Sequence, residues 1–508
     1  WLGSLWQASY WLLIAVIPLI CLGVYDMLQR KHTITSIYPV IGHLRYLFES
    51  IRPEIQQYFV ESNLNGVPFS REYRELVYQR AKGQQDTRAF GTQFDVYHPG
   101  YEWVNHSLAP KHVSEDNLKL VFGGAECLKP YSASPLNISA MSFGALSQNA
   151  ILALNRGASI GGFAHNTGEG GISPHHLKHG GDLIWQIGTG YFGCRDDKGN
   201  FDETLFTEKA TMDAVKMVEI KLSQGAKPGH GGILPAIKLT REIADIRHVP
   251  MGQDVVSPPS HTAFNSPTEL LHFVDKLREL SQGKPVGFKL CLGVKEEFLA
   301  ICKAMLETGI TPDFITVDGA EGGTGAAPVE FSNAVGTPLR EGLVFVHSAL
   351  IGIGLRDRIR IIASGKAISA FHVLGLLALG ADSVNAARAM MFALGCIQSL
   401  SCNKDTCPTG IATQNPNRYK SLDVNLKAVR VANYHAAMMK NLAELLGASG
   451  LEKLSDLRPW QIHRRISAVE VKTYAEIYPV IAEGCLLDDK TVPDSLKLSW
   501  AGAAADHW

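Results

Sequence analysis

The chain has 508 residues with a formal net charge of −1; 19% of them are charged and 46% hydrophobic. That length exceeds one ordinary domain and is enough for a large barrel with additions. Near-neutrality excludes the strong positive field of a nucleic-acid binder. Six of the nine cysteines (Cys21, Cys127, Cys194, Cys291, Cys302 and Cys485) are widely scattered. They read as small buried hydrophobes in a reducing compartment rather than as a disulfide framework.

In chain order, residues 1–25 contain no Asp, Glu, Lys or Arg, and Trp and Tyr sit among the apolar residues. This stretch is long enough for one helix to span the hydrocarbon core, and Pro18 is compatible with a membrane helix. No basic segment marks it as a signal peptide. Arg30, Lys31 and His32 follow, which predicts a membrane anchor over residues 1–30 with the rest on the cytoplasmic side. A further span before residue 1 would make the anchor double. Residues 31–108 interleave apolar, aromatic and charged positions at helical spacing and are expected to form a helical collar.

From residue 109 the rhythm changes to short apolar runs ending in small residues, each followed by a helical stretch. The runs are LNISAMSFG (136–144), GGFAHNTGEGG (161–171), IWQIGTG, MVEIKLSQGAKPG (217–229), VGFKLCLG (286–293), FITVDGAEGGTG (314–325), RIIASGK (360–366) and SVNAARA (383–389). Eight such units predict an α/β chain whose residues 109–415 close into a (β/α)8 barrel. The tail, residues 416–508, contains NLKAVRVANYHAAMMKNLAELLGA and is expected to be a helical extension.

Functional-looking residues concentrate just after the strands, on the face where barrel enzymes keep their active sites. GGTG (322–325) and SGK (364–366) end late strands, where a barrel commonly binds phosphate through backbone N–H groups. Lys289 ends an apolar strand and needs an anion, either a structural carboxylate or a reduced flavin ring. Glu169 and Lys227 suit acid–base work and the binding of a carboxylate substrate. Cys396, Cys402 and Cys407 form a C-x5-C-x4-C run closed by Pro408. Three close thiolates suit an iron–sulfur cluster, whereas structural zinc usually takes two close pairs. Three buried free thiols would be the blander alternative.

MSFGALS (141–147), NTGEGG (166–171), QGAKPGHGG (224–232), VSPPSH (256–261), GAEGGTGAAP (319–328) and CIQSLSCNKDTCPTGIATQ (396–414) together resemble the FMN-binding domain of glutamate synthases, in that family's order. The resemblance covers about residues 130–415. It implies an FMN barrel with a [3Fe–4S] cluster that reduces 2-iminoglutarate, made from 2-oxoglutarate and ammonia, to L-glutamate. Met141 and Ser142 would then lie under the flavin, with Ser142 also on the substrate side, and Gln224 and Lys289 would meet the isoalloxazine edge. Gly322, Gly323, Thr324 and Gly365 would cradle the phosphate, joined by Ala387 and Arg388 where the family has Gly-Thr. Lys227 and Arg247 match positions that bind the oxo-acid carboxylates, and Glu169 the acid beside the reacting carbon. Cys396, Cys402 and Cys407 match the cluster ligands.

Two residues depart from the family's AKPGEGGQ: His230 replaces the glutamate and Ile233 the glutamine. A lost hydrogen-bonding partner for a buried group costs about 1–3 kcal/mol, so a different oxo acid or amine is the alternative substrate. Full-length synthases also carry an N-terminal amidotransferase and a C-terminal β-helix, neither of which fits here. The expectation is therefore a stand-alone, membrane-anchored relative that takes ammonia from solution or another subunit. An electron-transfer subunit of a membrane complex is a further alternative. No NAD-binding G-x-G-x-x-G unit is apparent, which leaves ferredoxin, a flavoprotein or a quinol as electron donor.

Overall fold

A computed structural model describes residues 10–84, 87, 89–124 and 126–508. The chain divides into two compact units, Trp1–Glu72 and Tyr73–Trp508.

The second unit is built on a closed barrel of eight strands: β1 (Leu136–Ile138), β2 (His165–Asn166), β3 (Leu183–Ile187), β4 (Val215–Lys221), β5 (Val286–Leu290), β6 (Phe314–Asp318), β7 (Arg360–Ser364) and β8 (Ser383–Ala386). Every neighbouring pair is parallel, and β8 closes on β1 with Asn385 opposite Asn137. All eight expected runs contain a strand, so the (β/α)8 expectation is borne out. Strands covered on both faces must be apolar almost throughout, which is why the runs were continuous rather than alternating.

Most strands stop just before small or glycine-rich residues, and several of the helices that follow are started by polar caps. Ser147, Asp202, Thr240, Ser266, Ser369 and Asp423 each accept a backbone N–H at a helix start, satisfying a donor that the helix itself leaves free. The long helix Val424–Ala448 packs along Gln148–Gly161. Gly157 makes that approach possible, since a Cβ there would stand 2.7 Å from Val431.

The barrel interior also holds polar groups, and two buried carboxylates among them are fully paired. The Glu219 carboxylate, fully buried on β4, accepts from Asn166 Nδ2 (2.8 Å), Gln186 Nε2 (2.7 Å) and Thr316 Oγ1 (2.6 Å). Asp313, just before β6, accepts from the Gly124 and Val286 backbone N–H groups at 2.7 and 2.8 Å and from the Arg278 guanidinium at 3.2 Å.

The tail contains more than the expected helical extension. Besides helix Val424–Ala448 it carries strands Ile462–Arg465 and Val471–Thr473, which form a three-stranded antiparallel sheet with Glu102–Val104.

The expected membrane span is overturned. Residues 1–9 of it lie outside the described residues, and no helix among the described residues is long and apolar enough to cross a membrane. The helix that forms, Leu12–Leu28, has 17 residues and rises about 25 Å, short of about 30 Å of hydrocarbon. Its last turn contains the buried Asp26, which accepts the Val40 N–H at 2.9 Å and pairs with His43 Nε2 at 2.9 Å. The membrane location and the cytoplasmic placement of the barrel fall with the span. The first unit continues with helices Thr33–Ile37 and Gly42–Ile55.

Asp313 gives a direct test of the paired interior. Asp313→Ala takes from Arg278 its buried carboxylate, leaving only the exposed Asp275 at 3.2 Å, and breaking such a buried pair costs about 3–5 kcal/mol. Denaturant unfolding should show a loss of that order, and a loss under about 1 kcal/mol would contradict the assignment.

Candidate active site at the barrel mouth

The C-terminal ends of the strands carry one connected set of charges. After β2 the chain makes the NTGEGG turn, in which Gly168 and Gly171 adopt φ of 65° and 83°. A Cβ on Gly168 would also meet the Ser142 backbone nitrogen at 2.9 Å. The turn projects Glu169, whose Oε1 receives the Lys221 ammonium at 2.7 Å. Lys221 is the last residue of β4 and also donates to Gln224 Oε1 at 2.8 Å. Burial alone would raise the Glu169 pKa, but Lys221, with Arg247 and Lys227 beyond it, holds the carboxyl below its ordinary value.

Two further cations face this carboxylate. Lys227 is buried, donates to the Ala326 carbonyl at 2.9 Å, and is brought down to about 8 by burial and by repulsion from Lys221, which Glu169 partly offsets. Arg247 ends helix Arg241–Arg247, donates from Nη2 to the Phe143 carbonyl at 3.2 Å and lies 5.1 Å from the Phe192 ring centre. Its Nε is buried without a hydrogen-bond partner among the described residues. Burial brings Arg247 down to about 10 against the pull of Glu169. A buried donor left open beside a cation is what a substrate carboxylate would satisfy.

Lys289 on β5 meets a structural carboxylate: its ammonium lies 3.3 Å from Asp318 Oδ2 at the end of β6. Burial opposes its charge, but Asp318, Glu219 and Glu169 raise its pKa above the ordinary lysine value. The same Asp318 oxygen accepts the Gly225 N–H at 2.9 Å. Gly225 is required there, because a Cβ would stand 1.7 Å from the Gly319 carbonyl oxygen. The loops after β4 and β6 are thus in backbone contact over the mouth. Met141 is buried, and its N–H donates to the Asn166 carbonyl at 3.3 Å.

The expected phosphate residues come together at the ends of β6, β7 and β8. Arg388, directly after Ala387, donates to the Glu321 carbonyl at 2.6 Å, and a Cβ on Gly323 would meet its side chain at 2.9 Å. Thr324 Oγ1 donates to the Ala326 carbonyl at 3.2 Å. Lys366, next to Gly365, has its pKa lowered by burial and by Arg388. Two cations that repel each other beside open glycine backbone fit an anion such as the phosphate of FMN.

Cys396, Cys402 and Cys407 are free thiols. Among the described residues no group of three or more His, Cys, Asp or Glu could hold a single metal ion. The three sulfurs nevertheless act on one another. Burial, with Cys402 and Cys407, pushes Cys396 up to about 12, and burial with Cys407 raises Cys402. Burial also opposes the Cys407 thiolate, but the Thr409 side chain and the backbone N–H groups of Ala412, Thr409 and Ile411 outweigh it and lower its pKa. Thiols that disfavour each other's charge, with backbone N–H groups aimed at one sulfur, fit a multi-iron cluster that would share the charge over several atoms. Tyr78 donates to the Cys396 carbonyl at 2.5 Å.

His230 and Ile233 stand at the edge of this set. His230 Nδ1 lies 3.0 Å from the Gly231 carbonyl and its ring meets Phe331 edge-on. Ile233 pairs with Val256 in a two-residue strand, and Gly232 before it packs on Glu169, where a Cβ would meet Oε1 at 2.3 Å.

Sequence reasoning missed Lys221, Asp318 and Glu219. Lys221 carries the same cue that singled out Lys289, a lysine closing an apolar strand. Asp318 closes FITVD in the same way.

Comparison with known proteins gives this geometry its setting. Residues 110–452 match the model described as the conserved region in glutamate synthase. The glutamate synthase large subunit-like protein YerD of Bacillus subtilis (strain 168) is 39% identical over 482 residues, 86% of this chain and 91% of that protein. The archaeal glutamate synthase [NADPH] of Methanocaldococcus jannaschii is 36% identical over 359 residues, 70% of this chain, and the match spans 66% of that protein's length. A solved flavocytochrome b2 double mutant with pyruvate bound has a TM-score of 0.42 and 13% identity over 85% of this chain and 89% of that one, too loose a likeness to bear on chemistry. The chain therefore belongs to the glutamate synthase family and is an oxidoreductase of the kind that acts on CH–NH2 groups.

Proposed function

We propose that this barrel reductively aminates 2-oxoglutarate with ammonia to L-glutamate, with FMN at its mouth and a [3Fe–4S] cluster on Cys396, Cys402 and Cys407. The observation that carries the reading is the ionised Glu169 held by Lys221 with Lys227 and Arg247 facing it. FMN, when bound, supplies the hydride. Gly322, Gly323, Thr324, Gly365, Ala387 and Arg388 would hold its phosphate, and Met141, Ser142, Gln224 and Lys289 its ring.

The rest of the chemistry falls to side chains of this chain. Lys227 and Arg247 take the two carboxylates of the oxo acid, leaving its carbonyl carbon near Glu169. Ammonia adds there and water leaves, which gives an imine whose protonated nitrogen is cationic. A carboxylate kept ionised by Lys221 is a poor base but a good counter-charge, so Glu169 stabilises that cation and makes its carbon a better hydride acceptor. The buried walls of the mouth exclude water, which strengthens these charges. Electrons come from an external carrier of the ferredoxin or flavoprotein class. The second reading, a less polar 2-oxo acid, is favoured by the apolar Ile233 beside Gly232.

Two outcomes test this. If Lys227 binds a carboxylate as an ammonium ion, only the protonated form binds. With its pKa brought down to about 8, calorimetry should give a flat Kd for 2-oxoglutarate below about pH 8 and a roughly tenfold rise per pH unit above it. Lys227→Arg should abolish the rise, and Lys227→Met should weaken binding at neutral pH at least about tenfold. A Kd that is flat to pH 10 in the unaltered protein would contradict the role. Anaerobically purified protein should also carry about three irons per chain. Cys402→Ser should lose them and keep its flavin, and zinc in place of iron would refute the assignment.

A further inference from the structure

Lys238 belongs to none of the roles above, yet it occupies the gap between two of them. Only 3% of its surface is exposed. Its ammonium group donates to the Ala145 carbonyl at 2.5 Å and to the Cys402 carbonyl at 3.4 Å. Ala145 lies in MSFGALS, the segment after β1 that carries Met141 and Ser142. Cys402 is the middle cysteine of the run.

The same two segments are joined by neutral bonds as well. Gln414 Nε2 donates to the Gly144 and Leu146 carbonyls at 3.0 and 2.8 Å, and Ser147 Oγ to the Gly410 carbonyl at 2.7 Å. The connection between the segments therefore does not depend on Lys238, and its charge is the distinctive contribution. Burial opposes that charge, Asp405, Cys402 and Cys407 offset part of the cost, and Arg247 adds to it. Asp405 is itself anchored, accepting from the Gln414 N–H at 2.6 Å and Thr413 Oγ1 at 3.0 Å. The cation near the other end of the run is Arg74, which faces Cys396.

We propose that Lys238 is a positioning residue that sets the reduction potential of the cluster on Cys396, Cys402 and Cys407; this rests on the cysteine reading given above. Reduction adds one electron to the cluster and breaks no bond. The added negative charge develops beside a buried ammonium group, where little solvent screens the two. The reduced form gains more from Lys238 than the oxidised form does, so the potential is raised. The same ammonium group ties the cysteine loop to the segment under the proposed flavin, which places it between the two redox groups.

The test is an anaerobic dithionite titration of the full chain with mediators, following the paramagnetic signal of the cluster and counting iron separately. Lys238→Gln keeps a donor and removes the charge. It should retain iron and lower the reduced-to-oxidised ratio at fixed potential at least about tenfold, which is about 59 mV for a one-electron couple. Lys238→Arg keeps the charge and should stay within about threefold of the unaltered protein. An unchanged ratio in an iron-replete Lys238→Gln protein overturns the proposal while leaving the cluster in place. If Lys238→Gln fails to hold iron, Lys238→Arg decides: a ratio near that of the unaltered protein supports the proposal, and a tenfold fall overturns it. Unaltered protein without iron would overturn the cysteine reading itself, and this proposal with it.

Discussion

The ion pair between Glu169 and Lys221 is the constraint on which the barrel mouth depends. Glu169 comes from the turn after β2 and Lys221 from the end of β4, so their 2.7 Å contact reaches past β3. Partial burial by itself raises the pKa of such a carboxylate. It stays charged because Lys221 is fixed at a strand end and Lys227 and Arg247 add to the field. The same carboxylate partly offsets the burial of Lys227 and Arg247. Three cations around one anion leave the mouth short of negative charge, a deficit a dicarboxylate would fill.

A second charged pair works in the opposite way. Lys289 and Asp318 neutralise each other inside the barrel, and Asp318 also fixes the Gly225 backbone. This pair steadies the loop that carries Gln224 and Lys227. Because Gly225 has no Cβ, the loop can lie directly on Gly319. Lys289 stands directly opposite Lys221 in the register of β4 and β5, so the two charged pairs share one level at the strand ends. Glu219, with its three neutral donors, continues the structural layer downward.

Much of this was legible in the sequence, for a physical reason. Strands covered on both faces need unbroken apolar runs, and close-packed loops need glycine, so RIIASGK and FITVDGAEGGTG announced both the strand and the candidate site. Residues that lie on those loops, such as Glu169 and Lys227, could be picked out because a charge beside glycine after a strand has few other uses. Partners brought in by barrel closure could not. Nothing local says that Lys289 will meet Asp318 rather than a ligand, or that Lys238 will sit beside Cys402, 164 residues further along the chain. The N-terminal stretch misled for a similar reason. Composition reads residues 1–25 as one uncharged run, whereas the helix that forms ends at Leu28 and includes Asp26, whose partner His43 comes from a later helix. Hydropathy cannot see a partner supplied from elsewhere in the chain.

The central claim is that the field at the barrel mouth serves the reductive amination of a dicarboxylate. It is tested most directly by reducing the flavin of the purified protein without oxygen, then adding 2-oxoglutarate and ammonium together. The account predicts that the yellow colour returns only when both are present and that L-glutamate appears in proportion to the flavin oxidised. Reoxidation by an apolar 2-oxo acid with ammonium, but not by 2-oxoglutarate, would contradict it.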